Sequence, residues 1–147
     1  MMIDELALGI AVCLVVTLVH LIATLILVDF VDPYENRLTS YPRARLMIAL
    51  SVASIVLLAA HLLEVGVWAI VYDWNGLVQH RGDAYYSAFV NFTALGYGDS
   101  LQGTTTRLLG PMAAASGVLM FGWSTALMFQ VLQRHLPHIR QHKTPQA

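Results

Sequence analysis

Between positions 93 and 99 the chain reads Thr93-Ala94-Leu95-Gly96-Tyr97-Gly98-Asp99, with glycines two residues apart. Glycine takes positive φ at little steric cost. Two glycines at that spacing let an extended segment turn its peptide carbonyls to one side. What such a stretch offers is backbone oxygens as possible ligands, not side chains for bond-making. Asp99 adds a negative charge at the end of the segment. The chain shows no nucleophile–base pair, phosphate-binding glycine loop or metal-ligand constellation, so neither an enzyme nor a cofactor nor a small-molecule substrate is expected.

Something must hold that segment in place. Asp83–Phe92 reads as a short helix with Asp83 as its N-cap. A helix of that length spans about 15 Å, too little to cross a bilayer. Ser100, Gln102, Gly103 and three threonines then lead back to the next apolar run. A short helix, a glycine-bearing segment and a return to the same side describe a re-entrant loop. Irregular backbone at that depth persists only where it lines water or is buried in protein.

The apolar runs flanking this loop are long. Leu6–Val28, Leu46–Tyr72 and Leu108–Leu132 each exceed the roughly 20 residues that a bilayer core requires, and Glu64 is the one charge within them. Hydrophobic residues make up 57% of the chain and charged residues 12%. Average soluble chains carry roughly 45–50% and ~25%, and a soluble domain this small needs more polar surface than that. The expected fold is an all-α membrane protein. Met1–Glu5 lacks Lys and Arg, so the first run should stay attached and not act as a secretory signal.

Arg37, Arg43 and Arg45 lie between the first two spans, and Arg134, Arg140 and Lys143 follow the third. Only Arg81 and Arg107 lie in the segment holding the loop. By the positive-inside bias the N-terminus is outside and the C-terminus cytoplasmic, in a cell (inner) membrane. Trp68, Tyr72, Trp74, Tyr85 and Tyr86 would form an aromatic belt at the outer interface. Asp32-Pro33-Tyr34-Glu35-Asn36 reads as a turn on the inner side. The net charge of −1 gives no bulk attraction to nucleic acid, and the single Cys13 excludes an intrachain disulfide.

Ala94-Leu95-Gly96-Tyr97-Gly98 followed by Asp99 resembles the potassium channel family, whose filter is known by the stretch TVGYG. The likeness spans about Leu46 to Gln133 and includes Ser116-Gly117-Val118-Leu119-Met120-Phe121-Gly122 in the last helix. It is closest to small bacterial-type pore-domain channels with an extra N-terminal helix. It implies three transmembrane helices, a re-entrant pore helix and a selectivity-filter loop formed by Thr93, Ala94, Leu95, Gly96, Tyr97, Gly98 and Asp99. It implies permeant K⁺ held by filter carbonyls only, and a homotetramer in contact with membrane lipids, because one strand cannot encircle an ion. The division expected is 1–45 for the first helix and loop, 46–133 for the pore domain and 134–147 for a short tail.

The likeness has departures. Thr93 matches the first of two threonines usual in the family, but Ala94 replaces the second and removes a ring of hydroxyls. Weaker binding at the innermost ion site and looser discrimination of K⁺ from Na⁺ would follow. A weakly selective cation channel and a non-conducting channel-like scaffold are the alternatives. Gly117 is open to two readings, a hinge in the inner helix or a point of close packing among small residues. Thr125 and Ala126 would line the cavity below the filter.

Glu64 in a span is costly, by about 2.5–3.5 kcal/mol or more if charged and facing lipid. His61 lies three residues before it on the same helix face. The pair is a pH-sensitive pair touching the pore helix or a proton site, or else it is hydrogen-bonded to pore-helix groups such as Ser87, Asn91 or Tyr86. His20 reads as an interhelical hydrogen-bonding residue. The first span has no row of arginines, so it is not a voltage sensor. His135, His138 and His142 join the basic tail residues in a cluster suited to anionic lipid heads.

Overall fold

The structure, a computed structural model, describes residues 2–35, 42–78, 80–97 and 107–141, with side chains described for all of these except 30–35, 42 and 136–141. Four helices follow in order: α1 (Met2–Glu35), α2 (Pro42–Trp74), α3 (Arg81–Phe92) and α4 (Leu109–Gln141). α1, α2 and α4 are long and apolar enough to cross a membrane. The protein is an all-α, multi-pass membrane protein.

α2 packs against each of the other helices. α1 lies against α2 and α4, and α3 is wedged between α2 and α4. The sequence dictates these seams through its small residues. α1 buries Gly9, Val12, Val16, His20, Ala23 and Leu27, a stripe of threes and fours along one face. α2 buries Ala49, Ala53, Leu57 and Ala60 lower down, then Glu64, Val65, Trp68 and Tyr72. Small side chains let helices approach closely where lipid offers no hydrophobic drive of its own. The remaining faces carry Leu14, Leu18, Ile22, Ile55, Leu58 and Leu63, all exposed as lipid-facing residues should be.

Two local expectations are corrected. α1 runs on through Asp32, Pro33 and Tyr34 to Glu35, so these residues close a helix instead of forming a turn. A proline this near a helix end removes one hydrogen bond, and little helix beyond depends on it. α3 begins at Arg81, and His80 occupies the N-cap position with extended backbone (φ −122°, ψ 137°) and no side-chain cap. Asp83 therefore sits inside the first turn. Its amide donates to the His80 carbonyl at 2.9 Å, and its carboxylate still complements the N-terminal dipole. Pro42 opens α2, where a missing N–H costs nothing. Glu5 accepts the Arg107 backbone N–H at 3.2 Å, fastening the start of α1 to the segment that enters α4.

Candidate functional site

The segment Thr93–Tyr97 grows out of the end of α3. Thr93 is the C-cap, and Ala94 beyond it has φ 59°, the left-handed conformation that usually selects glycine there. The Ala94 N–H donates to the Asn91 carbonyl at 2.8 Å and the Leu95 N–H to the Val90 carbonyl at 3.0 Å. That pair of bonds is the Schellman closure of a helix, built on alanine. The Gly96 N–H also reaches the Val90 carbonyl, at 3.3 Å, and the Thr93 hydroxyl donates to Phe89 at 2.8 Å.

Gly96 then repeats the positive φ at 64°, while Leu95 between them does not. In a trans peptide the C=O points opposite to the N–H of the next residue. The amides of Ala94, Leu95 and Gly96 all turn toward α3, so the carbonyls of Thr93, Ala94 and Leu95 all turn away from it. The result is a run of oxygens presented to one side. Leu95 and Tyr97 stand 57% and 67% exposed. Gly98 and Asp99 lie outside the described residues.

Buried polar contacts join α2 to α4 and α3 to α2. The Trp68 indole N–H of α2 donates to the Ser116 hydroxyl of α4 at 3.0 Å, and Ser116 donates to the Ala113 carbonyl at 2.8 Å. The Asn91 amide donates to the Tyr72 hydroxyl at 3.0 Å. A side chain at Gly117 would run into the Phe92 carbonyl, so α4 meets the end of α3 backbone to backbone. Ala115, Val118, Leu119, Gly122, Thr125, Ala126 and Phe129 share the exposed face of α4. The Thr125 hydroxyl is turned back onto the Phe121 carbonyl at 2.8 Å.

A family model described as an ion channel matches residues 58–134, more than half of the chain. The chain belongs to the ion channel family. The match takes in the second half of α2, all of α3, the segment that follows it and α4 as far as Arg134. No curated protein and no solved structure matches this channel.

The channel also holds a polar cluster in its apolar interior. His61 and Glu64 are in contact, Nδ1 to Oε2 at 3.0 Å. The other carboxylate oxygen, Oε1, meets His20 Nδ1 of α1 at 2.8 Å. Ser124 of α4 lies on the far side of both rings, 3.4 Å from His20 Nε2 and 3.0 Å from His61 Nε2. His20 and Glu64 are fully buried. Trp123 packs on the His20 ring and Phe121 on the His61 ring, with centroids 5.3 and 4.8 Å apart. Asn91 serves Tyr72 instead of Glu64. Sequence reasoning missed Ser124 and the bond from His20 to Glu64. The one available signal was that His20, like Glu64, is a costly residue to place in a span.

Proposed function

We propose that the protein is a passive, potassium-selective channel that assembles as a homotetramer around the segment Thr93–Asp99. The alternation of φ sign at Ala94, Leu95 and Gly96 carries this reading, because it turns successive carbonyls to one side. Stacked carbonyls replace the hydration shell of a permeating cation. One segment supplies oxygens from one side only, so four are needed to surround the ion. The exposed filter side chains and the exposed face of α4 with Thr125 and Ala126 are surfaces that three further copies would cover. Arg43 and Arg45 at the start of α2 and Arg134 near the end of α4 favour an outside N-terminus and a cytoplasmic C-terminus.

The test is K⁺ against Na⁺ flux in liposomes, with Gly96→Ala as control. K⁺-selective flux that disappears in Gly96→Ala is expected, since φ 64° there favours glycine. Absence of K⁺ flux from the tetramer would overturn the reading. A second reading, a weakly selective cation channel, is favoured by one observation: Ala94 offers no hydroxyl at the inner end of the filter. Comparable K⁺ and Na⁺ flux would establish it.

A further inference from the structure

The polar cluster closes on itself. Glu64 touches His20 and His61 with its two oxygens, and Ser124 touches the opposite nitrogens of the same two rings, giving a ring of four contacts. Each contact needs one hydrogen. An ionised carboxylate brings none, two neutral imidazoles bring one each, and a hydroxyl brings one. Three hydrogens for four contacts leave one ring nitrogen facing the Ser124 oxygen with nothing between them. One added proton fills the fourth contact. It also makes one histidine cationic, so the buried carboxylate is neutralised and the cluster carries no net charge. A second added proton would give a net positive charge and more hydrogens than contacts.

We propose that His20, His61, Glu64 and Ser124 form a binding site for a single exchangeable proton, which fastens α1 to α2 and α4. The filled ring has two equivalent arrangements, with Ser124 donating either to His20 or to His61, so the proton belongs to the ring and not to one residue. Every element packed around it is accounted for. α1 contributes His20, with Thr17 and Thr24 bonded to their own helix. α2 contributes His61 and Glu64. α4 contributes Ser124 beside Phe121 and Trp123, and α3 presents Phe92, whose ring lies 6.1 Å from that of His61. No other titratable group contacts the ring among the described residues.

The same donors would suit a divalent metal by type. Ligands around a tetrahedral zinc with bonds of about 2.0–2.1 Å stand roughly 3.3 Å apart. The carboxylate–imidazole contacts of 2.8 and 3.0 Å are shorter and are those of hydrogen bonds. The sign of the pH effect follows. The link between α1 and α4 is intact while the ring holds its proton. It weakens as pH rises and the proton leaves, because the carboxylate is then buried without a counter-charge. Ser124 lies seven positions beyond Gly117, so the proton acts on the inner helix below the end of α3.

The proton count stands apart from the channel reading, whereas its effect on flux rests on that reading. The experiment is nitrogen NMR of the full chain in lipid bilayers, with ¹⁵N-labelled histidine and ¹³C-labelled glutamate carboxyl groups. Proximity to the carboxyl carbon picks out the two rings on Glu64. The expected result near neutral pH is one imidazolium shared over two rings beside an ionised carboxylate, lost in a single step on raising pH. Glutamine at position 64 donates one hydrogen and accepts one, so the ring fills without the extra proton. Glu64→Gln should lose the imidazolium signal, and flux should lose the pH step that tracks it. Two neutral rings in the wild type near neutral pH, a protonated Glu64, or an imidazolium retained in Glu64→Gln would overturn the proposal. So would a stoichiometric metal whose removal by chelator changes the spectrum. Because the wild-type spectrum decides, a Glu64→Gln chain that fails to assemble leaves the test standing.

Discussion

The carbonyl oxygen of Phe92, the last residue of α3, lies against the backbone of Gly117 in α4. A β-carbon has no room there, and the obstacle is backbone that cannot swing aside. Gly9 is crowded too, but by the sulfur and methyl of Met112, the mobile end of a flexible side chain.

These two glycines should respond differently to alanine. A Gly→Ala change in a helix gains about 1 kcal/mol of propensity. Overpacking against rigid structure costs about 1–3 kcal/mol. Gly117→Ala should be net destabilising, and Gly9→Ala close to neutral. Thermal unfolding of the two variants in the same lipid checks this. Equal stability would mean that α4 can retreat from Phe92.

Ala94 pays for its left-handed backbone with about 1–2 kcal/mol. Ala94→Gly should therefore stabilise the turn that leaves α3, raising the midpoint of unfolding by a few degrees. Ala94→Thr should add a hydroxyl to each segment and raise the K⁺ over Na⁺ ratio in reversal-potential measurements. An unchanged ratio would show that carbonyls alone set discrimination at that site.

Trp68 and Ser116 are buried partners across α2 and α4. Removing one partner of a buried bond strands the other, at about 1–3 kcal/mol. Trp68→Phe and Ser116→Ala should each destabilise by that order. The double variant should cost less than their sum, a non-additivity read from a double-mutant cycle in unfolding.

Tyr72→Phe should act on α3 directly. It leaves the Asn91 amide without its 3.0 Å acceptor, and the loss should be about 1 kcal/mol or more. Asn91→Leu in the Tyr72→Phe background should recover part of it if the pair serves to hold α3, as stability measurements on the double variant will show.

Much of this architecture was legible in the sequence because its causes are local. Long uncharged runs announce spanning helices, and the short run Asp83–Phe92 announces a helix too short to cross. Gly96 signals its positive φ by residue type. Ala94 does not, because its conformation is imposed by closure of α3 and alanine is not the residue that motif selects. Asp83 has the residue type of a cap, but the cap position falls three residues earlier, on His80, so it followed the path of the chain and not residue preference. The His20–Glu64 bond joins residues 44 positions apart on different helices, and no spacing rule within one helix reveals it.

Leu95 and Tyr97 stand uncovered in the single chain, and this bears on how the protein is made. A newly inserted chain holds its carbonyls along an open edge with no opposite wall. If four chains are needed to surround the ion, one chain alone would enclose no conduit, and the membrane would stay sealed throughout synthesis. Conduction would then begin with the last association step, and cells producing unassembled chains would be spared a leak.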